Sequence, residues 1–266
     1  MRTSLVIIAA VLIAFVSGAA AVVARAAPVA VNYVALGDSY SSGLGAGNDI
    51  SSSGSCARSS SAYPRLWADA HAHTSFTFAA CSGATTQDVI SSQLSALSAR
   101  TTLVSVTAGG DDAGFSAVME TCVLSSQHAC LSAVSAAEKF VANQLPARLD
   151  TMLTDIADRA PAATIIVLGY PDLYDVSHPG FCLGLTGADR TVLNQGAGDL
   201  DAALARAASV NHDKFADVRG QFAGHEICDS GSWLHSVDIF AISSSYHPTA
   251  AGQQDGYLPV FERAAG

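Results

Sequence analysis

The residues that could do chemistry lie far apart in this chain. A short apolar run, Tyr33 to Leu36, stops at Gly37-Asp38-Ser39. The run reads as a buried strand, and a serine at the carboxyl end of a first parallel strand sits where open α/β sheets place their ligands. Taken alone, Gly-Asp-Ser fits equally a strand-to-helix turn capped by Asp or Ser. A serine hydroxyl is a poor nucleophile near neutral pH and needs an adjacent base. Imidazole is the side chain best matched to that task. Of eight histidines, His247 is set apart by Pro248 beside it and by a final helical segment just beyond. Serine attack through an imidazole base would be acyl-transfer chemistry, provided these two distant residues meet.

Two further stretches stand between them: Ala80-Cys-Ser-Gly83-Ala, and Thr107-Ala-Gly-Gly-Asp-Asp-Ala-Gly-Phe115. With Gly37-Asp38-Ser39 and Ser245-Tyr-His247-Pro-Thr-Ala-Ala-Gly252 they form four blocks in a fixed order. Together they resemble the SGNH (GDSL) hydrolase family, most closely its secreted actinobacterial lipases and phospholipases. The resemblance covers nearly all of the chain after residue 30. It implies a three-layer α/β/α, flavodoxin-like fold around a central parallel sheet, and a serine carboxylic-ester hydrolase acting on a small-molecule ester or lipid without metal or cofactor. It assigns nucleophilic attack to Ser39 and proton transfer to His247. The oxyanion donors it implies are the backbone N–H groups of Ser39 and Gly83 and the side chain at 111. Glycine at 83, and at 109 and 110 ahead of 111, lets backbone come close to a substrate.

The sequence departs from the family pattern twice. Many members carry an Asp three residues before the histidine; here that position is Ser244, and no carboxylate lies between Asp238 and His247. A Ser39–His247 dyad is inferred, and the resemblance to actinobacterial members implies that the backbone carbonyl of Ser244 or Ser245 holds the second imidazole nitrogen. Where the family has Asn, position 111 is Asp. An ionised carboxylate cannot donate to an oxyanion and repels it. Three readings remain: Asp111 is kept protonated by burial and by Asp112 and still donates; hydrolysis runs weakened on two backbone donors; or the fold only binds a lipid or glycan. The first two are favoured because Ser39, Gly83 and His247 are intact. Removal of acetyl groups from carbohydrate is the alternative within enzymes.

The elements that must position these residues alternate. Strands are expected at Tyr33–Leu36, Ser75–Ala79, Leu103–Ala108, Thr164–Gly169 and Phe215–Val218. Helices are expected over Ala62–His71, Thr86–Leu97, Ala133–Asn143, Ala147–Arg159, Asp189–Ser209 and Thr249–Phe261, with a break near Pro146. Such alternation argues a parallel sheet covered on both faces. Ser177–Gly187 and Gly224–Ser245 read as irregular. Asp38 reads as a cap, and His71 and His73 as structural residues at a helix end. Phe76, Phe78 and Phe115 read first as core. The acyl pocket cannot be traced from the sequence.

Residues 1–27 read as an export signal: Arg2, an apolar core Leu5–Val23, and Ala24-Arg25-Ala26 at the cleavage site. The apolar core is long, so an uncleaved anchor is the alternative. One domain, 28–266, remains, about 239 residues and enough for one core. Without Arg2 and Arg25 the chain has 11 basic against 23 acidic residues, a net of −12. That surface repels nucleic acid and anionic membranes at long range, and no later segment is apolar enough to span a bilayer. Nothing demands more than a monomer. Six cysteines in an exported chain imply disulfides, with 15 possible pairings; zinc is the second reading, without paired Cys/His spacing to support it. The family resemblance implies Cys56–Cys81, Cys122–Cys130 and Cys182–Cys228.

Overall fold

The computed structural model describes residues 30–177, 182, 185–238 and 242–266. The expected export signal, and part of the loop expected at 177–187, lie outside the described residues. In chain order the elements are β1 (Val31–Gly37), α1 (Ser39–Ser42), α2 (Tyr63–Ala70), β2 (Thr74–Phe78), α3 (Thr86–Asp88), β3 (Leu103–Thr107), α4 (Phe115–Leu124), α5 (Gln127–Asn143), α6 (Leu145–Arg159), β4 (Thr164–Leu168), α7 (Gly187–Val210), β5 (Lys214–Ala216), α8 (Arg219–Phe222) and α9 (Leu258–Ala265).

The five strands form one parallel sheet in the order β2-β1-β3-β4-β5. β1 and β3 are central, and β3 is buried along its whole length. Strands buried on both faces are apolar-rich, and the polar Ser105 within β3 is paired with Tyr33 Oη at 2.7 Å. Helices α2 and α9 pack together over one face, and α6 and α7 over the other. Tyr33 of β1 anchors the first face, its ring 5.3 Å from Trp67 and Phe261 and 5.0 Å from Phe76. On the second face α6 turns one stripe inward: Leu145, Leu149, Met152, Leu153 and Ile156 are fully buried. Their spacing of 4, 3, 1 and 3 is helical, and each such side chain contributes about 2 kcal/mol by leaving water. The break expected near Pro146 falls between Asn143 and Leu145, with Pro146 in the first turn of α6.

Two elements differ from expectation. Helix α4 was not expected. Phe115, Val118, Met119 and Cys122 have helical spacing, but Gly114 precedes them in a left-handed conformation and supplies no capping side chain, so the usual start signal is missing. The stretch expected as one helix over Thr86–Leu97 is instead one α turn, a widened π turn at Val89–Gln93 and a 3₁₀ turn. A second π turn, Gly252–Tyr257, precedes α9. Each holds a buried glutamine, Gln93 and Gln253, whose partners lie in the site.

All six cysteines are in disulfides, Cys56–Cys81, Cys122–Cys130 and Cys182–Cys228, which removes the zinc reading. No helix among the described residues is long and apolar enough to cross a membrane.

Candidate active site

The loops that leave the carboxyl ends of β1, β2 and β3 meet at one edge of the sheet. The first places Ser39 at the start of α1, where Asp38 is the helix cap and its Oδ1 accepts from Tyr40 N at 2.9 Å. Two buried glutamines fix the backbone on either side. Gln93 accepts from Gly37 N and donates to Gly37 O, both at 2.8 Å. Gln253 donates to Tyr40 O at 3.0 Å and accepts from Tyr63 N at 2.9 Å. A primary amide offers one donor and one acceptor group, which is what a peptide unit needs. The π turns carry these glutamines, a widening that recurs at functional sites.

His247 arrives from the far end of the chain on a strapped loop. Leu234 bridges Pro248 in antiparallel fashion, His235 N donates to His247 O at 2.9 Å, and Tyr246 N donates to His235 O at 2.8 Å. Two side chains pull this pair onto the serine loop: His235 Nε2 donates to Gly45 O at 2.8 Å, and Tyr40 Oη donates to Tyr246 O at 2.8 Å. The result joins residues 208 positions apart: Ser39 Oγ lies 2.7 Å from His247 Nε2. His247 Nδ1 lies 2.9 Å from Ser245 O. A carbonyl only accepts, so Nδ1 carries the proton and Nε2 is free to accept from Ser39. Burial holds the imidazole pKa down to about 4, and His235 pushes the same way against the bond to Ser245. At neutral pH the imidazole is therefore an unprotonated base.

Gly83 and Asp111 line the same cavity as Ser39 and His247. Gly83 has φ +79° with open space around its Cα, so conformation selects glycine there. The turns bearing 83 and 111 are tied by a residue that sequence reasoning used only as a charge. Asp112, its side chain fully buried, accepts from Thr86 N at 2.7 Å and Thr86 Oγ1 at 2.8 Å, with Arg148 Nη1 at 3.3 Å. Burial, then the charges of Asp112 and Asp88, raise the Asp111 pKa to about 6. Asp38 is pushed up as well, by burial and then by Asp111, against the bond from Tyr170.

The cavity, about 250 Å³, runs from these residues between α4, α5 and α7. Gln127 at the start of α5 donates to Thr186, the cap of α7, at 3.2 Å, so the two helices run side by side from a common end. Val134 and Val141 of α5 face Leu193 and Leu200 of α7 across the space, and Ala137, Gly196 and Ala197 keep it open. Phe115, Val118 and Met119 of α4 roof it, and Cys122–Cys130 clamps α4 to α5. Phe115 is thus a cavity residue, while Phe76 and Phe78 pack on the core. His71 and His225 are structural, stacked on Trp67 and Trp233.

A family model described as GDSL-like Lipase/Acylhydrolase matches residues 35–254. Lipase 1 of Streptomyces coelicolor is 50% identical over 252 residues, spanning 95% of this chain and 93% of that protein. The crystal structure of an extracellular lipase from Streptomyces rimosus matches with a TM-score of 0.86 at 50% identity, over 88% of this chain and 100% of that one. Phospholipase A1 from Streptomyces albidoflavus NA297 matches with a TM-score of 0.85 at 48% identity, over 88% and 99%. Similar in sequence and in fold along most of its length, the chain belongs to the GDSL-like lipase/acylhydrolase family and is a carboxylic-ester hydrolase.

Proposed function

We propose that the protein hydrolyses lipid esters outside the cell through an acyl-enzyme on Ser39. The observation that carries this reading is the 2.7 Å contact between Ser39 Oγ and His247 Nε2 at one end of an apolar cavity. His247 takes the hydroxyl proton as Oγ attacks the ester carbonyl carbon. The oxyanion that forms faces the N–H groups of Ser39 and Gly83 and the carboxyl of Asp111, which donates only when protonated. His247 then gives its proton to the departing alcohol, leaving the acyl group on Oγ. Water repeats the sequence: His247 takes its proton, the acid leaves, and Ser39 is restored. The Ser245 carbonyl fixes the tautomer throughout, but it stabilises imidazolium less than a carboxylate does.

The cavity supports a lipid acyl chain rather than an acetyl group, since an acetyl methyl would leave the space between α5 and α7 empty. Release of fatty acid from emulsified long-chain acylglycerol or phospholipid, against release of acetate from acetylated xylan, tests the substrate class. Faster acetate release would overturn it. Gly196→Leu adds a side chain to the cavity wall, where a Cβ already meets Val134 Cγ1 at 3.7 Å. We expect kcat/KM for p-nitrophenyl palmitate to fall by about 10-fold or more, with butyrate nearly unchanged. An equal loss on both esters would place the acyl chain elsewhere. Export is supported by three disulfides, which persist in oxidising compartments, and by an extracellular relative.

A further inference from the structure

Tyr170 follows β4 and enters neither sequence motif nor reaction. It is buried, and its hydroxyl sits between two turns of the site. Gly110 N donates to Tyr170 Oη at 3.1 Å. An oxygen that accepts there must send its own proton elsewhere, and Tyr170 Oη donates to Asp38 Oδ2 at 2.5 Å. The other oxygen of Asp38 caps Tyr40 N, and Asp38 N donates to Thr107 O at 2.9 Å. The loops after β1, β3 and β4 are thereby joined through one hydroxyl. The tyrosine is itself held: its N donates to Asp201 Oδ1 at 2.8 Å, and its ring meets Tyr40 edge-on at 5.0 Å. A Cβ at 110 would lie 3.2 Å from Tyr170 Oη, so glycine there suits the close approach of this turn to the hydroxyl.

We propose that Tyr170 is a positioning residue for ester hydrolysis: its hydroxyl holds the Gly110–Asp111 peptide in register with the Asp38–Ser39 turn, and so aims the side chain at 111 toward the oxyanion. This rests on the reading of Ser39 and Asp111 above. Tyr170 touches no reacting atom; it acts through the direction of the peptide that carries position 111. Losing its oxygen leaves Gly110 N–H without this acceptor in a buried place and takes one donor from Asp38, and the turn is freed to move.

A double-mutant cycle tests this, with p-nitrophenyl butyrate at pH 5, where Asp111 is largely protonated. Tyr170→Phe should lower kcat about 10-fold with KM within 2-fold of the parent. In an Asp111→Ala background, where no donor remains at 111 to be aimed, the same substitution should cost less than about 2-fold. An equal cost in both backgrounds would make Tyr170 merely structural and overturn the proposal, as would no effect in the parent. Should Tyr170→Phe fail to fold by its thermal transition, Asp38→Asn is read instead. It leaves one acceptor oxygen where Tyr40 N and Tyr170 Oη need two, and the same dependence on residue 111 is expected. If Asp111→Ala alone leaves kcat unchanged, the role of Asp111 fails, and Tyr170 with it. If Asp111→Ala matters and the two costs simply multiply, only the Tyr170 proposal fails.

Discussion

At pH 8, Asp111→Asn should hydrolyse a short-chain p-nitrophenyl ester about 100-fold faster than the parent, a gain of about 3 kcal/mol in transition-state binding. The sign follows from two groups with opposite requirements. His247 works as a base only when neutral, so activity rises as pH climbs through its pKa of about 4. Asp111 donates only when protonated, so activity falls as pH climbs through about 6. The parent should therefore show a bell-shaped profile with an acidic optimum between these limits. At pH 8 only about 1% of Asp111 would be protonated, a loss similar to removing one oxyanion donor. Asparagine donates at every pH. The variant should match the parent within a few-fold near pH 5 and lose the falling limb near pH 6. A variant with the parent's profile, or lower activity at pH 8, would remove Asp111 from the site. The groups that set this balance are Asp112, held by Thr86 and Arg148 on one side, and Asp88 and Asp38 on others.

Ser39→Ala and His247→Ala should each lower kcat on the same ester by about 10⁴-fold or more. The double variant should lose little beyond either alone, because each group is useless without the other. Ser39 Oγ is paired with His247 Nε2, so the serine variant removes one side-chain bond and should keep the parent's thermal transition within a few degrees. Retention of a tenth of the activity in either variant would mean that ester cleavage occurs elsewhere on the protein.

Much of this was legible in the sequence because parallel α/β sheets write their order into the chain. The apolar run Tyr33–Leu36 fits a strand buried on both faces, and the serine just after it marks the ligand edge. The helix expected over Ala147–Arg159 is found as α6, Leu145–Arg159. Asp38 as a cap was readable from the residues; a backbone carbonyl behind His247 was implied by the family resemblance, and Ser245 O is found there. The supporting residues were not readable. Gln93, Gln253 and Tyr170 each act through a pair of buried hydrogen bonds to groups far away in sequence, and such bonds leave no periodicity. Helix α4 and its share of the cavity were missed for a related reason. A glycine in a left-handed conformation starts the helix, so no capping side chain announces it. The space between α5 and α7 depends on which small residues face each other, and only packing decides that.

The most direct measurement is covalent capture of the nucleophile. The protein is treated at pH 5.5 with a fluorophosphonate, digested, and mapped by mass spectrometry. One phosphonyl group per chain on Ser39, no labelling of Ser39→Ala, and labelling of His247→Ala slowed by at least about 100-fold are expected. An unlabelled Ser39 in active protein, or a label on another serine that tracks loss of esterase activity, would contradict the account.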